Sequence, residues 1–327
     1  YTGYGPADGL LELRTAISEH ISTTRQIEVE ADEVVVTPGA KPIIFFTLLA
    51  LVDRGDEVIY PDPGFPVYES VINFVGAKPV PLPLREEAEF RFRIDDLRDA
   101  ISERTKLLIV NSPQNPTGRV LKLEDLEAIA HLANQHDFYV LSDEIYSRMI
   151  YEGEHHSILS FPGMKERTIL LDGFSKTYAM TGWRLGYGVA PKPIAAQIAR
   201  LTINSNSCTC SFTQMAGVAA LAGSQDSVDR MVATFRQRRE AIVDGLNDIP
   251  GIHCLKPAGA FYVFPNVTQL PLSCDALADY LLQEAGVAVL SGTSFGKFGD
   301  GHLRLSYANS LDNIQGALRR IEAAIRK

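Results

Sequence analysis

One lysine and one arginine stand in a stretch whose residue types could perform carbonyl chemistry. Residues 173–186 read GFSKTYAMTGWRLG and follow the apolar run 168–171, which predicts the end of a buried strand. Burial lowers the pKa of a lysine, so the amine of Lys176 could act as a nucleophile and form a Schiff base. Arg184 carries a permanent charge on a planar fork that suits a phosphate. The aldehyde cofactor pyridoxal 5′-phosphate needs both groups at once.

This stretch resembles the cofactor-attachment motif of the class I/II aminotransferases, the fold type I family that includes aspartate aminotransferase. The resemblance implies that Lys176 carries pyridoxal phosphate and that Ser175 and Arg184 bind its phosphate. A short motif of this kind also occurs by chance, with the lysine and the arginine exposed on a turn. The identification therefore depends on further motifs elsewhere in the chain.

Two loops follow predicted buried strands, at the strand ends where open α/β sheets place their ligands. The first reads NSPQNPTG, and its resemblance to a family signature implies that Asn115 binds the cofactor's phenolic oxygen and the substrate carboxylate. The second reads DEIY, and implies Asp143 at the ring nitrogen and Tyr146 at the phenolic oxygen. A carboxylate beside that nitrogen favours the protonated ring, which then accepts electrons. Ordinary loop and turn capping is the alternative.

A phosphate cradle is predicted where strand 34–37 meets the apolar helix 43–51. A glycine turn before a helix leaves backbone N–H groups free to bind an anion. The resemblance assigns this role to Gly39, Ala40 and Lys41. It also places Phe65, in the proline-rich turn after the next strand, against the pyridine ring, although an isolated phenylalanine is more often a core residue.

The two ends of the chain carry one further candidate each. Tyr4 begins a segment resembling the family pattern Y-x-x-x-x-G-x-x-x-L-R, which implies that it reaches the cofactor phosphate of a partner subunit. Local packing of a loop tyrosine is the alternative. Arg304, in the strand pattern HLRLS, matches the arginine that binds the substrate α-carboxylate through two hydrogen bonds. Its alternative is an exposed strand arginine.

The order of elements predicts an α/β fold with a mostly parallel, seven-stranded-type sheet flanked by helices, and a smaller α+β C-terminal domain. We expect a large cofactor-binding domain at 1–223, in which 1–30 form a loop and a helix at a dimer interface. The small domain, with a long linking helix, is expected at 224–327. The pair His155-His156 is expected in a surface loop, because no carboxylate–histidine framework surrounds it in sequence.

Composition narrows the class of protein. The net charge of −9 argues against a nucleic-acid binder, and the longest apolar run is too short to cross a bilayer. Four cysteines lack zinc-site spacing and are expected to be reduced, as in a cytoplasmic protein without a metal. Because the chain starts at Tyr1 inside a family motif, we expect an upstream segment that completes the small domain and the substrate lid.

The resulting hypothesis is a pyridoxal-phosphate-dependent aminotransferase, a homodimer that moves an amino group from an L-amino acid to a 2-oxo acid through a Lys176 aldimine. A lyase for β-elimination or C–S cleavage, or a cyclising synthase, would use the same residues. An aminotransferase-like sensor domain of a regulator is a further alternative. A Rossmann dinucleotide enzyme is not favoured, because no G-x-G-x-x-G follows the first strand. The amino-acid donor stays open among aspartate/glutamate, aromatic and branched or alanine types.

Overall fold

A computed structural model describes residues 2–326; Tyr1, predicted to belong to the N-terminal loop, and Lys327 lie outside the described residues. The strands are β1 (Val34–Thr37), β2 (Glu57–Asp62), β3 (Lys78–Pro83), β4 (Thr105–Asn111), β5 (Tyr139–Asp143), β6 (Thr168–Gly173), β7 (Gly186–Val189), β8 (Tyr262–Val263), β9 (Leu290–Ser291) and β10 (Leu303–Ser306). The helices are α1 (Leu11–Arg25), α2 (Lys41–Leu51), α3 (Val67–Phe74), α4 (Ile94–Ala100), α5 (Leu123–His136), α6 (Phe174–Thr177), α7 (Lys192–Ser205), α8 (Ser211–Ala222), α9 (Asp226–Asn247), α10 (Cys274–Ala285) and α11 (Leu311–Ile325).

The larger sheet has seven strands in the order β1-β7-β6-β5-β4-β2-β3. Strands β3, β2, β4, β5 and β6 run parallel, whereas β7 is antiparallel to both of its neighbours. Helices cover both faces, so β4 to β6 are buried along nearly their whole length and each contains an apolar run. The predicted mostly parallel α/β sheet is therefore confirmed.

A second sheet of three short antiparallel strands, in the order β8-β10-β9, packs with α9, α10 and α11. The apolar pattern at 287–290 predicts a strand there; the observed strand β9 lies at the edge of this sheet and begins only at Leu290. The change from α8 to α9 lies next to the predicted domain boundary at 223/224, and that boundary stays a prediction. Among the described helices, none combines the length and the apolar content that crossing a membrane requires.

Candidate active site

The carboxyl ends of β4, β5 and β6 open into a cavity of about 370 Å³. Parallel strands bring their carboxyl ends to one edge of a sheet, which explains why residues far apart in sequence meet there. Of the predicted site residues, those lining the cavity are Ala40, Lys41, Phe65, Asn115, Asp143, Tyr146, Ser175, Lys176, Arg184 and Arg304. Gly39 lies directly behind this wall, while Tyr4 is 91% exposed and lies outside it.

Asp143 is the last residue of β5, and its carboxylate is buried at the cavity wall. The Tyr68 hydroxyl donates to its Oδ2 at 2.7 Å, and the Ile145 N–H donates to its Oδ1 at 3.2 Å. Burial raises the pKa of Asp143 to about 6, although both hydrogen bonds act in the opposite direction. A cation in the cavity would keep this carboxylate ionised. Tyr68 was not predicted as a site residue; it lies on α3, just after the turn that carries Phe65.

Lys176 lies in the short helix α6, directly after β6, and its side chain is half-buried. Its Nζ lies 5.2 Å from the centre of the Phe261 ring and 5.8 Å from that of Tyr146. Burial lowers the pKa of this lysine, and the nearby charges of Arg304 and Arg184 lower it further. A larger fraction of the amine is therefore neutral and nucleophilic near pH 7 than in an exposed lysine.

The loop before α2 and the guanidinium of Arg184 form a close-packed cradle. Gly39 has φ +86°, and a Cβ added there would overlap Nη2 of Arg184. The Thr37 hydroxyl holds the loop by donating to the Gly39 carbonyl at 2.7 Å, and Nη1 of Arg184 donates to the Thr181 carbonyl at 3.0 Å. Backbone N–H groups at the start of α2 thus lie beside a permanent cation, a combination that suits a phosphate.

Arg304 also lines the cavity, with its guanidinium packed against two aromatic rings. Its guanidinium carbon lies 4.5 Å from the Tyr262 ring centre and 4.7 Å from that of Phe295. Nη1 donates to Oδ1 of Asn115 at 3.2 Å, while the buried Nε has no hydrogen-bond partner among residues 2–326. Burial lowers the pKa of Arg304, so a carboxylate ligand would relieve an unfavourable isolated charge.

Hydrogen bonds also hold Asn115 and Tyr146, the remaining predicted residues, at the cavity wall. The backbone N–H of Asn115 donates to Oδ1 of Asn111, whose Nδ2 donates to the Asp143 carbonyl. The hydroxyls of Tyr146 and Tyr262 are 2.9 Å apart. Asn111 was not predicted as a site residue, although it opens the NSPQNPTG signature and lies at the end of β4.

The expectation that His155 lies in an exposed loop is wrong. Its side chain is 8% exposed, and Nε2 lies 2.8 Å from Oε2 of the buried Glu144. Glu144 is eleven residues upstream, and the loop between them folds back behind β5. A search for nearby carboxylates in sequence could have found the DEIY glutamate, but only the fold shows that its side chain points toward His155.

The donor set fits pyridoxal phosphate. A half-buried amine with a lowered pKa, a buried carboxylate with no lysine or arginine paired to it among the described residues, and an anion cradle all border one cavity. Phe65 adds an aromatic wall between the cradle and Tyr68, with its ring centre 5.8 Å from that of Tyr68. No cluster suited to a metal ion occurs within residues 2–326.

Comparison with known proteins gives concordant matches along the chain. The family described as "Aminotransferase class I and II" matches residues 1–321. The aspartate aminotransferase of Pyrococcus abyssi is 42% identical, over 100% of this chain and 85% of its own length. Aromatic-amino-acid aminotransferase 2 of Thermococcus litoralis is 38% identical, with the same coverage. The crystal structure of the aromatic aminotransferase from Pyrococcus horikoshii OT3 superposes with a TM-score of 0.97, at 40% identity over 99% of this chain and 88% of that one.

Proposed function

The chain belongs to the class I and II aminotransferase family and catalyses amino-group transfer, and we propose that it does so with pyridoxal 5′-phosphate held by Lys176. One observation carries this proposal: Asp143, Lys176, Arg184 and Arg304 surround a single cavity of about 370 Å³. When bound, the cofactor supplies an electron-accepting ring that stabilises negative charge at the α-carbon of an amino acid.

Each part of the cavity would hold one part of the cofactor. The amine of Lys176 would hold its aldehyde carbon, and the carboxylate of Asp143 would accept a hydrogen bond from the protonated ring nitrogen. Phe65 would pack against the ring, while Asn115 and Tyr146 would bind the phenolic oxygen. The phosphate would lie against Gly39, Ala40, Lys41, Ser175 and Arg184.

The substrate carboxylate would bind Arg304, whose buried Nε has a free donor, together with Asn115. This contact directs the α-carbon of the amino acid toward Lys176. The lowered pKa of Lys176 leaves the amine able to take the α-proton and return it. Tyr262 and Phe295 keep Arg304 in place by packing on both sides of its guanidinium.

We further propose a homodimer in which Tyr4 reaches the phosphate of the partner's site. Large exposed apolar side chains on the N-terminal loop, α1, α7 and α8 support an association surface: Tyr4, Leu11, Ile203 and Phe212, of which Tyr4 and Ile203 border one surface hollow. Exposed apolar side chains of this size are typical of association surfaces. All four cysteines are unpaired, which fits the reducing cytoplasm as the proposed location.

The relatives' names guide the choice of substrates. They include aspartate and aromatic-amino-acid aminotransferases, and a structural neighbour is titled alanine aminotransferase from Pyrococcus furiosus. We propose an L-amino acid as donor and a 2-oxo acid as acceptor. A screen of single amino acids with 2-oxoglutarate, read by formation of the keto acid, would identify the donor class. Ammonia release without the acceptor's amino product would instead indicate an elimination reaction.

The variant Lys176→Ala tests the assignment of the amine. We expect it to lose the borohydride-reducible bond to pyridoxal phosphate and nearly all transamination. The control Lys192→Ala removes an exposed lysine paired with Glu30 and should behave as wild type. Full activity and a reducible cofactor bond in Lys176→Ala would contradict the proposal.

A further inference from the structure

The ends of β5 and β6 carry a second group of charges on the face that points away from the cavity. Asp143 and Leu171 are register partners and both line the cavity. Because side chains alternate along a strand, the next residues, Glu144 and Asp172, point to the opposite face. Both are buried, at 1% and 4% exposure, and the Glu144 N–H donates to the Leu171 carbonyl at 2.8 Å.

One guanidinium spans these two carboxylates. Arg25, the last residue of α1, is 8% exposed. Its Nε donates to Oε2 of Glu144 at 2.9 Å, and its Nη2 lies 3.6 Å from Oδ2 of Asp172. His155 also contacts Glu144, and the Ser147 hydroxyl donates to Oδ2 of Asp172 at 3.2 Å. Arg25 thus connects the ends of two neighbouring strands from behind.

The two carboxylates depend on Arg25 for their charge. Burial alone would raise the pKa of Glu144, but Arg25 and then His155 lower it to about 2. Burial raises the pKa of Asp172 to about 7, even though Arg25 acts in the opposite direction. Without the guanidinium, the pKa values of both buried carboxyl groups would rise, and any charge that remained on them would lack compensation, which favours separation of the strand ends.

These strand ends position the two groups on which the proposed function depends. Asp143 directly precedes Glu144, and Lys176 follows Asp172 through Gly173 and the short helix α6. The Gly173 N–H donates to Oδ1 of Asp172 at 2.7 Å, so the start of this turn is tied to the same cluster. A small displacement of either strand end would change the distance between the Asp143 carboxylate and the Lys176 amine.

We propose that Arg25 is a positioning residue that fixes the ends of β5 and β6 from behind and thereby holds Asp143 and Lys176 in place for proton transfer. The proposal rests on the proposed function. Arg304, which would bind the substrate carboxylate, belongs to β10 and lies outside this cluster. Loss of Arg25 should therefore lower kcat and leave the KM for the amino donor nearly unchanged.

The variants Arg25→Gln and Arg25→Lys test this role against matched controls. Arg91→Gln and Arg91→Lys remove a comparable ion pair, because Nη2 of Arg91 lies 2.7 Å from Oδ1 of the buried Asp125, away from the cavity. We expect both Arg25 variants to lower kcat by about 10–100-fold, with KM within about twofold of wild type. Arg25→Lys should also lower kcat, because an ammonium group cannot contact both carboxylates as the planar guanidinium does. The Arg91 variants should lose stability only.

A second measurement does not need the cofactor. The pH midpoint for modification of Lys176 by an amine-selective reagent, located by peptide mapping of the apo protein, should shift by at least about half a unit in the Arg25 variants alone. Equal effects in the Arg25 and Arg91 variants, or wild-type kcat and lysine titration in Arg25→Lys, would overturn the proposal. If Arg25→Gln does not fold, Arg25→Lys and Glu144→Gln provide the same comparison. Failure of the wild type to bind pyridoxal phosphate would refute the proposed function, whereas the lysine titration would still decide this inference.

Discussion

The Tyr68 hydroxyl donates a 2.7 Å hydrogen bond to the Asp143 carboxylate, which no lysine or arginine of residues 2–326 pairs with. Burial keeps the pKa of this carboxyl near 6, above its usual 3.8, in the protein without a cofactor. A buried carboxylate without a cationic partner destabilises the isolated chain, and a cation bound in the cavity would stabilise it. It connects the stability of the apo protein to the chemistry proposed for the site.

Asp143→Asn should stabilise the apo protein at pH 8 and inactivate the enzyme. A folded-state pKa above the unfolded value means that the acid favours the folded state at low pH, and that this contribution is lost as pH rises through about 6. Removing the buried charge should raise the unfolding temperature by about 2–4 °C at pH 8 and have little effect at pH 4. We expect kcat to fall by about 100–1000-fold. Thermal unfolding of apo protein at both pH values checks the first part, and a lower unfolding temperature at pH 8 would contradict it.

Tyr68→Phe should make cofactor binding more sensitive to acid. The Tyr68 hydrogen bond lowers the pKa of Asp143, so its loss should raise that pKa further above about 6. Affinity for pyridoxal phosphate, measured by fluorescence titration between pH 5 and pH 8, should fall as pH decreases through the Asp143 pKa. The midpoint of this loss should move to higher pH in the variant. Tyr139→Phe, which alters a tyrosine at the start of β5 outside the cavity, is the control.

Asp143 and Lys176 show what the sequence could predict about this site. Asp143 ends β5 and Lys176 follows β6, and the parallel topology of the sheet then places them at one edge. Their presence around a single cavity confirms that expectation, while their individual roles stay predictions. The alternation of apolar residues in HLRLS predicts a strand around Arg304, and β10 confirms that strand.

Tyr68 and His155 show where the sequence was insufficient. Tyr68 meets Asp143 across 75 residues, and no local pattern distinguishes it from a core tyrosine of α3. His155 was assigned to the surface because its sequence neighbours provide no framework, yet its loop folds back onto Glu144. In both cases the partner is chosen by tertiary packing, which single-sequence periodicity does not report.

Gly39→Ala should weaken cofactor binding through both backbone strain and loss of space. Gly55 offers a matched control, because its φ of +95° is similar to the +86° of Gly39 but no atom would lie within 4 Å of an added Cβ. Both variants should lose about 1 kcal/mol of stability from the left-handed backbone conformation. Only Gly39→Ala displaces the Arg184 guanidinium, so only this variant should bind pyridoxal phosphate more weakly. Equal affinity in the two variants would argue against a cradle at this loop.

Arg304→Lys should impair use of the amino donor without affecting the cofactor. A lysine keeps the charge but loses the planar fork, and with it one of the two charge-assisted hydrogen bonds to a carboxylate. The loss of such a bond corresponds to about 10–100-fold in kcat/KM, mainly through KM. Steady-state kinetics with the best donor would measure this change. The visible absorbance of bound pyridoxal phosphate should stay that of wild type, and a loss of cofactor would place Arg304 in a different role.

Tyr4 allows a test of the proposed dimer that depends on which subunit supplies each residue. If Tyr4 reaches the partner's phosphate, Tyr4→Phe should weaken cofactor affinity while leaving the sedimentation of the dimer unchanged. A mixed dimer of Tyr4→Phe with Lys176→Ala would then contain one intact site, because the Lys176→Ala subunit supplies a normal Tyr4 to a partner that keeps its lysine. In the purified mixed dimer, one of the two sites should regain wild-type affinity, as measured by reducible cofactor per dimer. If Tyr4 instead acted on the site of its own subunit, the mixed dimer would keep the weaker affinity of Tyr4→Phe, and an unchanged affinity in Tyr4→Phe itself would show that Tyr4 reaches no phosphate.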